Sequence, residues 1–125
     1  MKLFRSLAVA MLVTFAVSSA AQAQSAFEAC QAQIAELQSL TASATFTGKN
    51  AAGDQAALLQ KLTDAQVKLN EGKPADAIVK LTQFRDKAAA LAGTGKLNPD
   101  QAAVLVAGAD QAIACVQSHL VVVVE

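Results

Sequence analysis

The sequence contains no Trp or Tyr, and it has only two Cys, two Met and one His among its 125 residues. The scarcity of His, Met and Cys excludes several classes of cofactor protein. Helical bundles that bind b-type haem or a di-iron centre need recurring His, Met or Glu-x-x-His ligands, and c-type haem needs a Cys-x-x-Cys-His motif. The chain has none of these motifs. The sequence therefore predicts no cofactor and no metal.

The chain also lacks an excess of charge of either sign, with 10 basic and 10 acidic residues. If the first 23 residues are removed, Lys2 and Arg5 go with them, and the net charge becomes 8 − 10 = −2. Nucleic-acid binding normally requires a basic patch, and adhesion to anionic lipid requires clustered Lys and Arg. Neither kind of partner is predicted.

The N-terminus has the three parts of an export signal. Lys2 and Arg5 provide positive charge, residues 7–17 (LAVAMLVTFAV) form an uncharged apolar run, and residues 21–23 (AQA) form an A-x-A cleavage site. The apolar run is shorter than the roughly 20 residues that a membrane-spanning helix needs. We expect a cleaved signal peptide over residues 1–23, a mature domain over 24–125 with no membrane span, and a periplasmic or extracellular location.

Four segments show the periodicity of amphipathic helices, at about 26–40, 55–70, 74–91 and 98–118. Turn-forming residues separate them, and the segment 41–53 is predicted to break the helical pattern. The fold class is therefore all-α. The apolar stripes consist of Phe27, Cys30, Ile34 and Leu37; Leu58, Leu62, Ala65 and Leu69; Ala77, Leu81, Phe84, Ala88 and Leu91; and Ala102, Leu105, Ala109, Ala112 and Val116.

The helix starts carry recognisable caps. Asp54 is a plausible N-cap for the second helix, and Pro74 suits the first position of the third. Asn98 followed by Pro99, with Gln101 three residues after the cap, resembles a capping box. Because short loops join the last three helices, we expect an up-and-down bundle of three antiparallel helices.

Cys30 and Cys115 are the only cysteines, and in an exported chain they are expected to form a disulfide. Two free thiols are the alternative. Closing a loop of about 85 residues would stabilise the fold by up to roughly 4–5 kcal/mol. No Cys-x-x-Cys redox motif is present, so the bond is interpreted as structural. It would tie the N-terminal helix to the other three.

Residues 58–116 contain an ordered set of helix and turn motifs. They are Leu58-Leu59-x-x-Leu62, Gly72-Lys73-Pro74, Ala77-x-x-x-Leu81-x-x-Phe84, the segment 92–97 (AGTGKL), and Pro99-Asp100-Gln101-Ala102. This order resembles the FIMAH domain, with a FIMAH-like core over 54–118. The resemblance implies a small helical module of secreted and cell-surface bacterial proteins, often appended to larger proteins including hydrolases. It implies no active site.

A search for catalytic groups finds none. His119 is predicted to follow the last helix, where it is solvated or interacts with the helix dipole, although a lone His can also be a base or ligand. The segment 93–96 (GTGK) lacks the spacing of a phosphate-binding loop. Six aspartates recur about every ten residues, at positions typical of caps and solvated faces: Asp54, Asp64, Asp76, Asp86, Asp100 and Asp110.

The C-terminal tail, residues 120–125 (LVVVVE), is apolar and rich in valine, which is a poor helix former and a good strand former. We consider two interpretations. The tail is a frayed extension that packs on the end of the bundle, or it is a segment that adds to the sheet edge of a partner.

These observations favour a non-enzymatic exported helical module that binds a protein or an envelope component. A purely structural or stress-related envelope protein is the alternative. A small-ligand carrier or an enzyme with a site inside the bundle is less favoured, because alanine-rich stripes predict closely packed helices.

Overall fold

The computed structural model describes residues 27–124, which form four helices. They are α1 (residues 27–43), α2 (Ala51–Asn70), α3 (Pro74–Gly93) and α4 (Pro99–Val124). Within 27–124, extended pairing is limited to one isolated antiparallel bridge between Phe46 and Leu97. The predicted all-α bundle is confirmed. The predicted signal peptide and cleavage site lie outside the described residues, as does Glu125.

The apolar stripes of the four helices form one core. α3 packs against both α2 and α4, and every predicted stripe residue is buried except Phe27, which is half-buried. Thr41 is buried as well, and its hydroxyl donates a hydrogen bond of 2.7 Å to the carbonyl of Leu37. This bond satisfies a polar group that would otherwise be costly inside the core.

Two of the three predicted helix starts are correct. Pro74 is at the start of α3. Asn98 caps α4, since its Oδ1 accepts hydrogen bonds from the backbone N–H groups of Asp100 (2.9 Å) and Gln101 (3.1 Å). The prediction for Asp54 is wrong: α2 begins at Ala51, and Asp54 lies in its first turn, where a carboxylate suits the helix dipole.

The loop between α1 and α2 is fastened to the loop between α3 and α4. Thr47 N–H donates to the Lys96 carbonyl (2.9 Å), and Asn98 N–H donates to the Thr45 carbonyl (3.2 Å). The Gln101 side chain, expected to complete a capping box, instead accepts a hydrogen bond of 2.6 Å from Thr45 N–H. The two loops therefore close the same end of the bundle.

Both terminal helices are longer than predicted. α1 continues to residue 43, where Gln55 Nε2 donates to the carbonyls of Thr41 (3.1 Å) and Ala42 (2.8 Å). α4 continues to Val124, beyond the predicted end near residue 118. Extending an existing helix by a poor helix former costs only tenths of a kcal/mol per residue, because nucleation has already taken place.

Candidate functional site

A disulfide joins α1 to α4, as predicted. Cys30 Sγ and Cys115 Sγ are bonded at 2.00 Å, with their Cα atoms 5.7 Å apart. Cys30 is completely buried, and Cys115 is half-buried. Because α1 contributes Cys30 and α4 contributes Cys115, the bond links residues 85 positions apart in the chain.

His119 lies beside this disulfide. Its Nδ1 is 2.7 Å from the carbonyl oxygen of Cys115 and 3.8 Å from Cys30 Sγ. Its ring also meets the ring of Phe27, with centroids 5.9 Å apart and planes inclined at 48°. The prediction that His119 follows the last helix is wrong, since α4 continues past it and its side chain is half-buried.

The spacing of Cys115 and His119 contained a signal that the sequence analysis missed. Residues four apart on a helix lie on the same face. If the helix continues, His119 therefore lies on the face of α4 that carries Cys115 and contacts α1. The prediction failed because the helix was expected to end before this histidine. Within residues 27–124, Cys30, Cys115 and His119 form the one group of acidic, Cys or His side chains close enough to share a metal ion.

A groove runs along the surface between α1 and α4. One part is a cavity of about 270 Å³, and an adjoining part has about 250 Å³. Leu40 and Val104 line both parts, so the two form one continuous surface. The charged residues among its lining are Glu36 and Asp100, both acidic. The remaining lining residues are Gln33, Leu37, Ser43, Gln101, Leu105, Ala107, Gly108 and Gln111.

Two large apolar side chains in this groove are exposed. Leu40 exposes 37% of its surface, and Val104 exposes 52%. Exposed apolar side chains are common when scattered singly, and Val67 and Val79 are examples on α2 and α3. Leu40 and Val104 differ from these because they share a concave surface, which is the form that binding sites commonly take.

The base of the groove depends on a close approach between the two helices. A Cβ atom at Gly108 would lie 2.5 Å from Leu37 Cδ2, well inside van der Waals contact. Leu37 is 2% exposed and therefore has little room to move. The missing side chain at Gly108 allows α1 to lie directly against α4 here.

Several charged side chains outside the groove form ion pairs on the surface. Arg85 Nη1 contacts Asp110 Oδ1 at 2.9 Å and links α3 to α4. The hydrogen bond to Asp110 raises the pKa of Arg85, and a weaker contact with Asp86 acts in the same direction. Such exposed pairs contribute little to stability and do not resemble a catalytic acid–base pair.

Over residues 27–124, no helix is both long enough and apolar enough to cross a bilayer. Comparison of the chain with protein-family models, with curated proteins and with solved structures gave no match.

Proposed function

We propose that the protein is an exported, non-enzymatic helical module that binds an envelope protein through the α1/α4 groove. The observation that carries the proposal is the shared exposure of Leu40 and Val104 in one groove. The fitting partner is a segment with an apolar side chain as anchor and Lys or Arg beside it, because Glu36 and Asp100 are the charged residues of the lining.

Export is supported by two features that are independent of each other. The N-terminal segment has the organisation of a signal peptide. The Cys30–Cys115 bond is of the kind that persists in oxidising compartments. The resemblance to the FIMAH domain is consistent with the same location and with a role in binding.

We infer an up-and-down arrangement of the helices. On α1, Gln31 bonds to Asn70 at the end of α2, while Gln38, further along α1, bonds to the earlier residues Thr63 and Gln66. Such reversed pairing is typical of antiparallel neighbours. The contacts between α1 and α4 are reversed in the same way. Cys30 is bonded to Cys115, whereas Leu37, later in α1, lies against Gly108, which is earlier in α4.

In-cell crosslinking with mass spectrometry tests the proposed function. The wild-type protein should crosslink repeatedly to the same envelope protein. Val104→Lys should reduce recovery of that partner about tenfold or more, because it places an ammonium against the apolar anchor and a like charge beside the Lys or Arg of the partner. Because Val104 is exposed in the free protein, the helical content of the variant should equal that of the wild type.

Val79→Lys is the matched control, since Val79 exposes 50% of its surface on α3, outside the groove. It should crosslink as the wild type does. Equal losses in the two variants would contradict the role of the groove. If the wild type recovers no recurrent partner, the purely structural or stress-related role becomes the better interpretation.

A further inference from the structure

Three side chains that bind soft metal ions meet where α1 is joined to α4. Cys30 Sγ, Cys115 Sγ and a ring nitrogen of His119 all lie within 4.8 Å of one another. We propose that, when the disulfide is reduced, Cys30, Cys115 and His119 bind one Zn²⁺ ion. The protein then has two mutually exclusive forms, one with a disulfide and one with a zinc ion, because a sulfur in the disulfide is not a thiolate ligand.

The distances fit a zinc site. Zinc binds thiolate sulfur at about 2.3 Å and imidazole nitrogen at about 2.0–2.1 Å in a tetrahedron, which places the nitrogen about 3.6 Å from each sulfur and the two sulfurs about 3.8 Å apart. His119 Nδ1 is already 3.8 Å from Cys30 Sγ. After reduction, we expect rotation of the cysteine side chains to supply the separation of the two sulfurs.

The position of His119 is not explained by the disulfide alone. A structural disulfide needs only its two cysteines, yet an imidazole is held against this one by Phe27 and by the Cys115 carbonyl. Two thiolates and one imidazole are one of the sets of three protein ligands found in zinc sites that leave a fourth position for water. Cys115 and His119 are half-buried, so solvent reaches this side of the cluster.

The chemistry balances with a dithiol as reductant. A thiolate of the reductant attacks one sulfur of the disulfide and forms a mixed disulfide. The second thiol of the reductant then attacks the mixed disulfide and releases the protein thiol. Two electrons and two protons thus pass to Cys30 and Cys115, and the reductant leaves as a disulfide. Zinc binding releases the two thiol protons. Neutral His119 carries its proton on Nδ1 in the disulfide form, where Nδ1–H donates to the Cys115 carbonyl. On metal binding this bond breaks, the proton passes through solvent to Nε2, and the Nδ1 lone pair goes to the metal.

The test uses the purified protein, reduced with a phosphine that is then removed without air. Titration with Co²⁺ should show a thiolate-to-cobalt charge-transfer band and tetrahedral d–d bands that saturate at one ion per chain, and Zn²⁺ should displace the cobalt. The oxidised protein should show no bands. Absence of the bands from the reduced wild type overturns the proposal.

His119→Ala keeps both thiols and should weaken Co²⁺ binding by at least about tenfold. Ser118→Ala is the matched control, because Ser118 is the adjacent residue on α4 and bonds only to the Cys115 carbonyl. It should bind as the wild type does. Equal affinity in His119→Ala and the wild type would show that the histidine is not a ligand and would overturn the three-residue site.

A second measurement does not depend on how well His119→Ala folds. Alkylation of the reduced wild type should modify Cys115, which is half-buried, without zinc and should leave it unmodified when zinc is present. If zinc leaves alkylation unchanged, the proposal fails. If the reduced chain is unfolded, zinc should restore its helical circular dichroism, and failure to do so would also count against the site.

Discussion

At the scale of single residues, Gly108 determines how closely α1 approaches α4. We expect Gly108→Ala to lower the free energy of unfolding by up to about 2 kcal/mol. Overpacking against Leu37 costs about 1–3 kcal/mol, and the better helix propensity of alanine returns up to about 1 kcal/mol. Urea denaturation followed by circular dichroism measures the difference.

Gly53→Ala is the control for this prediction. Gly53 is also helical, in α2, but nothing lies within 4 Å of the position of its missing Cβ. Alanine there should stabilise the protein by about 0.5–1 kcal/mol. Combining Gly108→Ala with Leu37→Ala should cost less than the sum of the two single changes, because the second removes the clashing methyl group. Strict additivity would contradict the proposed contact.

At the scale of secondary-structure elements, the start of α4 depends on Asn98. Asn98→Ala should destabilise the protein by about 0.5–2 kcal/mol, because the N–H groups of Asp100 and Gln101 lose their acceptor. Asn50→Ala is the matched control, since Asn50 precedes α2 but makes no side-chain capping bond. Denaturant midpoints should separate the two variants, and similar midpoints would show that the Asn98 cap contributes little.

The element scale is also where prediction from the sequence was most successful. All four helices and nearly all of their buried positions follow from periodicity, because an amphipathic helix must turn its apolar stripe inward. The ends of the helices were predicted less accurately. α2 starts four residues before its predicted start, without a side-chain cap, and α1 is extended by contacts from Gln55. Such contacts come from distant parts of the chain and have no local signal.

At the scale of the whole molecule, the disulfide is expected to be the largest single contribution to stability. Cys115→Ala should lower the free energy of unfolding by about 2–5 kcal/mol, because the unfolded chain loses a crosslink that closes a loop of 85 residues. Thermal melting by circular dichroism is the suitable measurement, as the chain has no Trp.

Phosphine reduction of the wild type provides the comparison for this variant. In metal-free buffer it should destabilise the protein by nearly the same amount, since both treatments open the same loop. A reduced protein as stable as the oxidised one would show that packing of α1 on α4 suffices without the bond.

The two candidate sites differ in how far they could be predicted. The pairing of Cys30 and Cys115 follows from the count of cysteines in a chain with an apparent export signal. The position of His119 beside that pair could not be predicted. It depends on α4 continuing through a run of valines, which brings the imidazole ring to α1. The groove was not predicted either, since the sequence does not show which apolar residues two helices leave uncovered.

Local periodicity and a count of two thiols are enough to predict the helical class, most residues of the core and the choice of crosslink. Helix packing, by contrast, sets the pairing of the two loops, the exposure of Leu40 and Val104, and the contact of His119 with the disulfide. These features arise between segments far apart in the chain, and their geometry is set by how the helices pack.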